Sequence, residues 1–217
     1  GNEALPYAYL DENGEYDDFK RERLIPHRFS KNGPGIASGD VNGDNLDDLF
    51  IGGAKGEDGK TFLQQSNGTF RQIAQPSIAA DSASEDMGAL LFDADNDGDN
   101  DLYVVSGGNE FEADDARLQD RLYMNNGQGK FTRSVAGLPR MLTSGSCVVA
   151  ADYDADGDLD LFVGGRVTPG AYPTAPRSYL LRNDKGNFSD VTAAIAPTLK
   201  NVGMVTGAIW TDADNDN

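Results

Sequence analysis

The sequence is poor in the residues on which disulfide scaffolds and histidine-based metal sites depend. Its 217 residues include a single cysteine and a single histidine. An internal disulfide is therefore impossible, and so is an intrachain pair of histidine metal ligands. Cys147 lies in an apolar segment, which favours a buried cysteine over a reactive thiol. We expect a structural or surface role for His27 rather than a catalytic one.

Long apolar runs and positive charge are also scarce. No segment approaches the roughly 18 consecutive apolar residues of a membrane span, so the sequence predicts no transmembrane segment in this chain. It contains 18 basic and 36 acidic residues, a formal net charge of −18, and no basic stripe. Nucleic acid is therefore not expected as a partner, because nothing is present to neutralise its phosphates.

What the sequence does contain is one acidic segment written four times. The copies begin at Asp40, Asp93, Asp152 and Asp212, at intervals of 53, 59 and 60 residues, and together they hold 17 of the 36 acidic residues. Each copy has Asp or Asn at its first, third and fifth positions, and the three complete copies have Asp at the ninth, followed by an apolar run. Four copies in phase favour metal binding over merely solvated acidic turns.

The spacing of these acids suits calcium, which takes six to eight hard oxygen ligands at about 2.3–2.6 Å. A tight loop that turns alternate carboxylates inward provides several of them. The sixth position is Gly98 or Gly157 in two copies and Asn45 or Asn217 in the others, and both residue types tolerate the positive φ that a sharp turn requires. An EF-hand is excluded because its twelfth position must be Glu. That position is occupied here by Ile51, Val104 and Val163.

We therefore predict calcium sites in loop 1 (residues 40–48), loop 2 (93–101) and loop 3 (152–160), and an incomplete site in the fourth copy. The predicted side-chain ligands are Asp40, Asn42, Asp44 and Asp48; Asp93, Asp95, Asp97 and Asp101; Asp152, Asp154, Asp156 and Asp160; and Asp212, Asp214 and Asp216. The seventh-position carbonyls of Leu46, Asp99 and Asp158 are predicted as further ligands. Because Asn replaces Gly in loop 1, we expect its site to be weaker.

The segments around each loop predict β-strands. A strand of small residues precedes the loop, an apolar strand ending in a glycine pair follows it, and a hairpin comes next. The unit is four antiparallel strands with the cation loop between the first and second, which is an all-β propeller blade. We place blades at about 36–80, 88–140 and 146–196, a truncated blade at 204–217, and the outer part of a preceding blade at 1–35. The expected architecture is a slice of a larger propeller of about six to eight blades.

These repeats resemble the FG-GAP and VCBS families, the calcium-loop propeller blades also seen in integrin α-subunit heads. The resemblance covers about Ile36 to Asn217. The segments PHRFSKNGPGIASGDVNGDNLDDLFIGGA and GGNEF look more closely like the large extracytoplasmic VCBS-repeat proteins of Bacteroidota-type bacteria. The resemblance implies calcium binding, a secreted, periplasmic or cell-surface location, and a role in adhesion or recognition.

Two inserts, 109–120 and 166–178, vary between the repeats and suggest where a ligand docks. In the second, Tyr172 lies between Arg166 and Arg177, and aromatic and arginine side chains dominate binding surfaces. The alternative for each insert is a packed connection that closes its blade. No motif nominates a catalytic base or nucleophile.

The function predicted from the sequence is a calcium-stabilised module that binds a protein or glycan ligand. Two alternatives stay open. One is a fragment of a lyase-like, polysaccharide-active enzyme, because calcium-loop propellers resembling this one include polysaccharide lyases. The other is a purely structural spacer.

Overall fold

The computed structural model describes residues 16–212, and antiparallel strands form most of its regular structure. No helix in this range is long and apolar enough to cross a membrane. The strands are β1 (Ile36–Gly39), β2 (Asp48–Ile51), β3 (Lys60–Gln64), β4 (Phe70–Ile73), β5 (Glu85–Phe92), β6 (Asp101–Gly107), β7 (Arg121–Met124), β8 (Thr132–Ser134), β9 (Ser144–Ala151), β10 (Asp160–Val167), β11 (Tyr179–Arg182) and β12 (Ser189–Asp190). The helices are α1 (Asp18–Arg21), α2 (Pro76–Ala79) and α3 (Thr192–Ile195), with short 3-10 helices at Ala116–Leu118 and Pro197–Asn201.

The strands form three four-stranded sheets, each made of consecutive antiparallel strands. Their orders are β1-β2-β3-β4, β5-β6-β7-β8 and β9-β10-β11-β12. We call these sheets blade 1, blade 2 and blade 3. Loops 1, 2 and 3 each join the first strand of a blade to the second, which confirms the predicted all-β organisation. The three blades do not close into a ring, so the architecture is a partial propeller.

The core consists of two apolar layers, one on each face of blade 2. All seven residues of β6 are buried, and its side chains alternate between the two faces. Leu102 and Val104 pack with the residues of blade 1, whereas Tyr103 and Val105 pack with those of blade 3. A strand buried on both faces reads as a continuous apolar run, which is why this segment lacks polar alternation.

The innermost strands of the three blades approach one another closely at glycines. A Cβ atom on Gly35, just before β1, would lie 2.5 Å from the carbonyl carbon of Gly88 in β5. A Cβ atom on Gly88 would in turn lie 2.9 Å from the backbone oxygen of Ser146 in β9. Small residues are therefore required where first strands converge, which explains the composition of the segments before each loop.

The two ends of the described range lie against the blades without forming strands of their own. Residues 16–35 contain α1 but no strand, so the assignment of 1–35 to a preceding blade stays a prediction. At the other end, the N–H of Val205 donates to Gly165 (2.8 Å) and the indole N–H of Trp210 donates to Val149 (3.2 Å). Asp212 belongs to this segment. The predicted ligands Asp214 and Asp216 lie outside the described residues.

The first strands of blades 2 and 3 begin earlier than the sequence suggests. β5 begins at Glu85 and β9 at Ser144, whereas we expected these blades to begin at about 88 and 146. In the β5–β6 pair and in the β9–β10 pair, the first strand continues past a register shift. In β5 this shift lies between Asp86 and Gly88. The pairing of these extra residues at the glycine-rich ends of β6 and β10 accounts for the difference.

A buried ion pair within blade 2 includes a carboxylate that also accepts a hydrogen bond from blade 1. Nη2 of Arg121, in β7, lies 2.5 Å from Oδ1 of Asp86, and the two side chains are 3% and 4% exposed. The other carboxylate oxygen of Asp86 accepts the N–H of Gly53 (2.9 Å), which follows the last strand residue of β2. Both charges are buried, so removing either side chain would leave the other charge buried and unpaired.

We expect Arg121→Met to lower the free energy of unfolding by about 3–5 kcal/mol, because it leaves the carboxylate of Asp86 buried and unpaired. The control is Arg117→Met, which removes the exposed pair between Arg117 and Asp115 and should cost less than about 1 kcal/mol. Urea denaturation measures both values. Equal losses for the two variants would contradict the structural role of the buried pair.

Candidate metal centres in the acidic loops

The first aspartate of each loop organises the turn by accepting backbone hydrogen bonds. In all three loops its carboxylate accepts the N–H groups of the fifth and sixth residues at 2.7–3.3 Å. The donors are Asp44 and Asn45 to Asp40, Asp97 and Gly98 to Asp93, and Asp156 and Gly157 to Asp152. The loop backbone therefore wraps around this carboxylate, and the side chains at alternate positions are held near it.

Two positions in each loop have positive φ. The sixth residues have φ of 63°, 94° and 97° in Asn45, Gly98 and Gly157, which confirms the prediction for the three complete loops. The fourth residues also have positive φ, 77°, 61° and 58° in Gly43, Asn96 and Ala155, and the sequence analysis missed them. The fourth position is not recognisable from residue type, because a left-handed conformation is unfavourable for a residue with a Cβ such as Ala155.

The carboxylates converge most closely in loops 2 and 3. Ligand oxygens of Asp93, Asp95 and Asp101 all lie within 4.8 Å of one another, and so do those of Asp152, Asp154 and Asp156. Among the described residues, loop 1 has no comparable group of three acidic side chains. Its third position is Asn42, whose amide donates to Asp44 (3.1 Å). The sequence prediction that site 1 is weaker rested on Asn45, and the structure adds Asn42 as a second reason.

The ninth aspartate of each loop has a structural role that the sequence analysis did not foresee. It is at most 1% exposed in all three loops. One carboxylate oxygen accepts the N–H of the second loop residue at 3.1–3.2 Å. The other accepts, at 2.7–2.8 Å, the N–H of the last residue of the third strand in blade 1 and of the residue after that strand in blades 2 and 3. The three residues are Asp48, Asp101 and Asp160. Each oxygen keeps a free lone pair, so this role is compatible with cation binding.

The electrostatics of the loops favour a bound positive charge. Burial raises the pKa of Asp101 to about 7, and burial followed by the neighbouring charge of Asp97 raises the pKa of Asp95. At Asp40, burial acts in the same direction, but the surrounding N–H donors outweigh it and lower the pKa. Among residues 16–212, no Lys or Arg forms an ion pair with a carboxylate of the three complete loops. This hard-oxygen donor set without a counter-charge fits calcium.

Two asparagines connect the loops of adjacent blades, and the sequence analysis missed both. The amide of Asn125 donates to the carbonyls of Val41 in loop 1 (2.8 Å) and Asn100 in loop 2 (3.0 Å). Asn183 repeats this pattern one blade later, bonding loops 2 and 3. The signal was the Asn at the same place in RLYMNNGQGKF and SYLLRNDKGNF. The sequence of one repeat does not show which residues of the neighbouring blade this Asn contacts.

Loops 2 and 3 also contact each other directly. The amide of Asn96 donates to Oδ1 of Asp158 (2.6 Å) and to the carbonyl of Gly157 (3.1 Å). On the other side of loop 2, the amide of Asn100 donates to the carbonyl of Asp40 (2.8 Å). The three loops therefore form a continuous row that is joined by hydrogen bonds.

The structure brings together two of the three predicted ligand-contact residues. The Arg166 guanidinium lies 5.1 Å from the Phe29 ring centroid, and the Tyr172 ring lies 6.4 Å from the same ring. Arg177 instead pairs with Asp190 and lies over the ring of Tyr179. His27 packs edge-on against Phe29 at 4.8 Å, a structural contact.

A family model described as an FG-GAP-like repeat matches residues 40–104 and 93–163. These segments include loops 1, 2 and 3 and cover more than half of the chain. No curated protein matches the sequence. Among solved structures, one titled "putative exo-beta-1,3-galactanase from Bifidobacterium bifidum s17" is similar, with 12% identity and a TM-score of 0.42. The similarity covers 76% of this chain and 55% of that chain, so this chain spans about half the length of that structure.

Without a divalent cation, we expect the free energy of unfolding to fall as the pH rises from about 4 to about 7. The pKa of Asp101 is about 7 in the folded protein, whereas an unfolded aspartate titrates at about 3.9. In this window the folded state binds more protons than the unfolded state, so its stability decreases with rising pH.

Urea denaturation of chelated protein at about pH 5 and about pH 7 tests this pH dependence. Asp101→Asn should show a smaller difference between the two pH values, because it has no carboxyl to titrate there. Saturating calcium should oppose the trend, since calcium binds the ionised form. Chelated wild-type protein that is more stable at pH 7 than at pH 5 would contradict the assignment.

Proposed function

Because the chain belongs to the FG-GAP-like repeat family, we propose that it is a calcium-stabilised propeller module of an exported or cell-surface protein, and that it recognises a protein or glycan ligand. The observation that carries this proposal is the convergence of three carboxylates in loop 2 and again in loop 3. Both groups lie at the same place in successive blades. Repeated inward carboxylates without a counter-charge are explained by a repeated cation.

Calcium fits these loops better than magnesium does. Each loop offers side-chain oxygens from several positions, in a turn that hydrogen bonds hold in shape. Magnesium requires a smaller, near-ideal octahedron and keeps its waters, whereas calcium accepts six to eight oxygens in variable geometry. The side chains of Asp152, Asp154 and Asp156 are all exposed, so an ion exchanges freely there.

Cations in the loops support a binding role by stiffening the module. Asn96, Asn125 and Asn183 join each loop to its neighbour, so a cation in one loop restrains the row. Structural cations do not by themselves react, and the loop carboxylates are occupied by backbone N–H groups and by the cation. The ligand is therefore expected on side chains outside the loops.

We expect calcium to raise the thermal midpoint of the protein and a chelator to lower it. At a calcium concentration 100 times its Kd, each independent site adds about 2.7 kcal/mol, which corresponds to roughly 5–11 °C for a chain of this size. In Asp95→Ala and in Asp154→Ala, calcium should raise the thermal midpoint by less than in the wild type, because one loop no longer binds the ion. Glu57→Ala, an exposed acid outside the loops, is the control. If calcium does not change the thermal midpoint of protein from which all metal has been removed, the calcium proposal is wrong.

The ligand surface proposed for this module is the patch formed by Arg166 and Tyr172. Both side chains are partly exposed and pack against the same aromatic ring, that of Phe29. A tyrosine ring stacks on a sugar or packs against an apolar side chain, and a neighbouring guanidinium donates hydrogen bonds to either kind of ligand.

We expect Arg166→Ala to weaken binding to a ligand found on a glycan array by about 30-fold, the loss typical of a hot-spot residue. Arg182→Ala is the matched control, since Arg182 is an exposed arginine of the same blade. Thermal melting of both variants separates a binding loss from a folding loss. Binding that Arg166→Ala leaves unchanged contradicts the patch. If the protein depolymerises a polysaccharide, the alternative of a polysaccharide-active enzyme is correct and the proposed binding module is wrong.

A further inference from the structure

We propose that residues 18–30 form a basic loop that binds the surface of an anionic lipid membrane. Residues 20–31 contain five of the 18 basic residues of the chain and a single acid, Glu22. This is a short basic stripe, which the sequence analysis overlooked because the chain as a whole is acidic. The proposal involves neither the calcium loops nor the Arg166–Tyr172 patch, so its test does not depend on the function proposed above.

Contacts between its two ends define the basic loop. The carboxylate of Asp18 accepts the N–H of Ser30 (3.3 Å) and the hydroxyl of Ser30 (2.5 Å). Close to this junction in the chain, the guanidinium carbon of Arg28 lies 5.9 Å from the centroid of the Phe19 ring. Because its ends meet, the segment is a compact surface loop of the Ω type, whose residues are held close to one another.

The inner side of the basic loop is fixed to the rest of the protein. Ile25 and Phe29 are buried and pack with Val167, the last residue of β10. Glu22 is 8% exposed, and its carboxylate accepts the backbone N–H of Tyr172 (2.7 Å). The single acid of the basic stripe is therefore turned into the protein and does not neutralise the outer side of the loop.

The outer side of the basic loop combines positive charge with apolar side chains. Lys20, Arg23 and Arg28 are exposed. Within the described part of the chain, none of these three residues forms an ion pair with a carboxylate. Leu24 is 81% exposed and Phe19 is 40% exposed. Single exposed apolar side chains are ordinary on a protein surface, whereas these two lie within six residues of each other and among three cations.

This combination favours a lipid surface over other anionic partners. An anionic membrane attracts Lys and Arg side chains, and its interface also accepts apolar side chains such as Leu and Phe. A soluble polyanion would contact the cations and leave Leu24 in water. A specific protein interface takes about 20–30 residues from each partner, far more than one loop supplies. A membrane is therefore the partner that uses both features of the loop.

The acidic loops are too distant to repel an anionic membrane from this site. The basic loop packs at Val167, at the end of β10, whereas Asp160 of loop 3 begins this strand. The strand between them spans about 23 Å, at about 3.3 Å per residue. Glu112, an exposed acid beside the basic loop, pairs with Arg21 (2.9 Å). Because exposed charges are largely screened beyond about 8 Å at physiological ionic strength, the local positive charge determines the attraction.

Co-sedimentation with vesicles tests the proposal with lipids of known charge. The wild-type protein should bind vesicles that contain phosphatidylglycerol and should not bind vesicles of phosphatidylcholine alone. Binding should weaken as the salt concentration rises, because salt screens exposed charges. Arg23→Gln should lower the partition coefficient about 5-fold, the loss expected for one cation near an anionic surface. Leu24→Ser should lower it about as much, because it removes an apolar contact with the interface.

The matched controls are Arg71→Gln and Val135→Ser, which change an exposed arginine and a 91% exposed apolar side chain elsewhere on the protein. Both should bind as the wild type does, and thermal melting should show that all four variants are folded. The proposal is wrong if the wild-type protein does not bind the anionic vesicles, or if Arg23→Gln and Leu24→Ser both bind them unchanged. A loss in Arg23→Gln alone, together with binding to dextran sulfate, would identify a soluble polyanion as the partner and also overturn it.

Discussion

The fold depends on one hydrogen-bond pattern, in which a buried aspartate at the ninth loop position accepts two backbone N–H groups. One donor follows the first strand of the blade, the other is the last residue of the third strand or the residue after it, and the aspartate itself begins the second. Three of the four strands in each blade therefore meet at one carboxylate. Because that carboxylate is at most 1% exposed, its loss leaves two backbone N–H groups without their acceptor, at least one of them buried. Loop and blade are consequently one structural unit.

The same carboxylate also explains how blades are joined. The residue that donates to it after the third strand is Asn125 in blade 2 and Asn183 in blade 3. The side chains of these asparagines reach the loop of the preceding blade. A single residue thus connects two blades through its backbone and its amide. The apolar layers on both faces of β6 supply the non-directional part of the contact, and the asparagines fix the register.

Much of this was predictable from the sequence, because local patterns determined it. The four-strand unit, the loop between first and second strands and the positive φ at the sixth position follow from spacing and residue type within one repeat. The roles of Asn125 and Asn183, the buried pair of Arg121 with Asp86, and the contacts of Phe29 with Tyr172 were not predictable. These involve residues far apart in the chain, and no spacing rule brings them together. Ala155 was missed for a different reason, since its positive φ opposes its own preference.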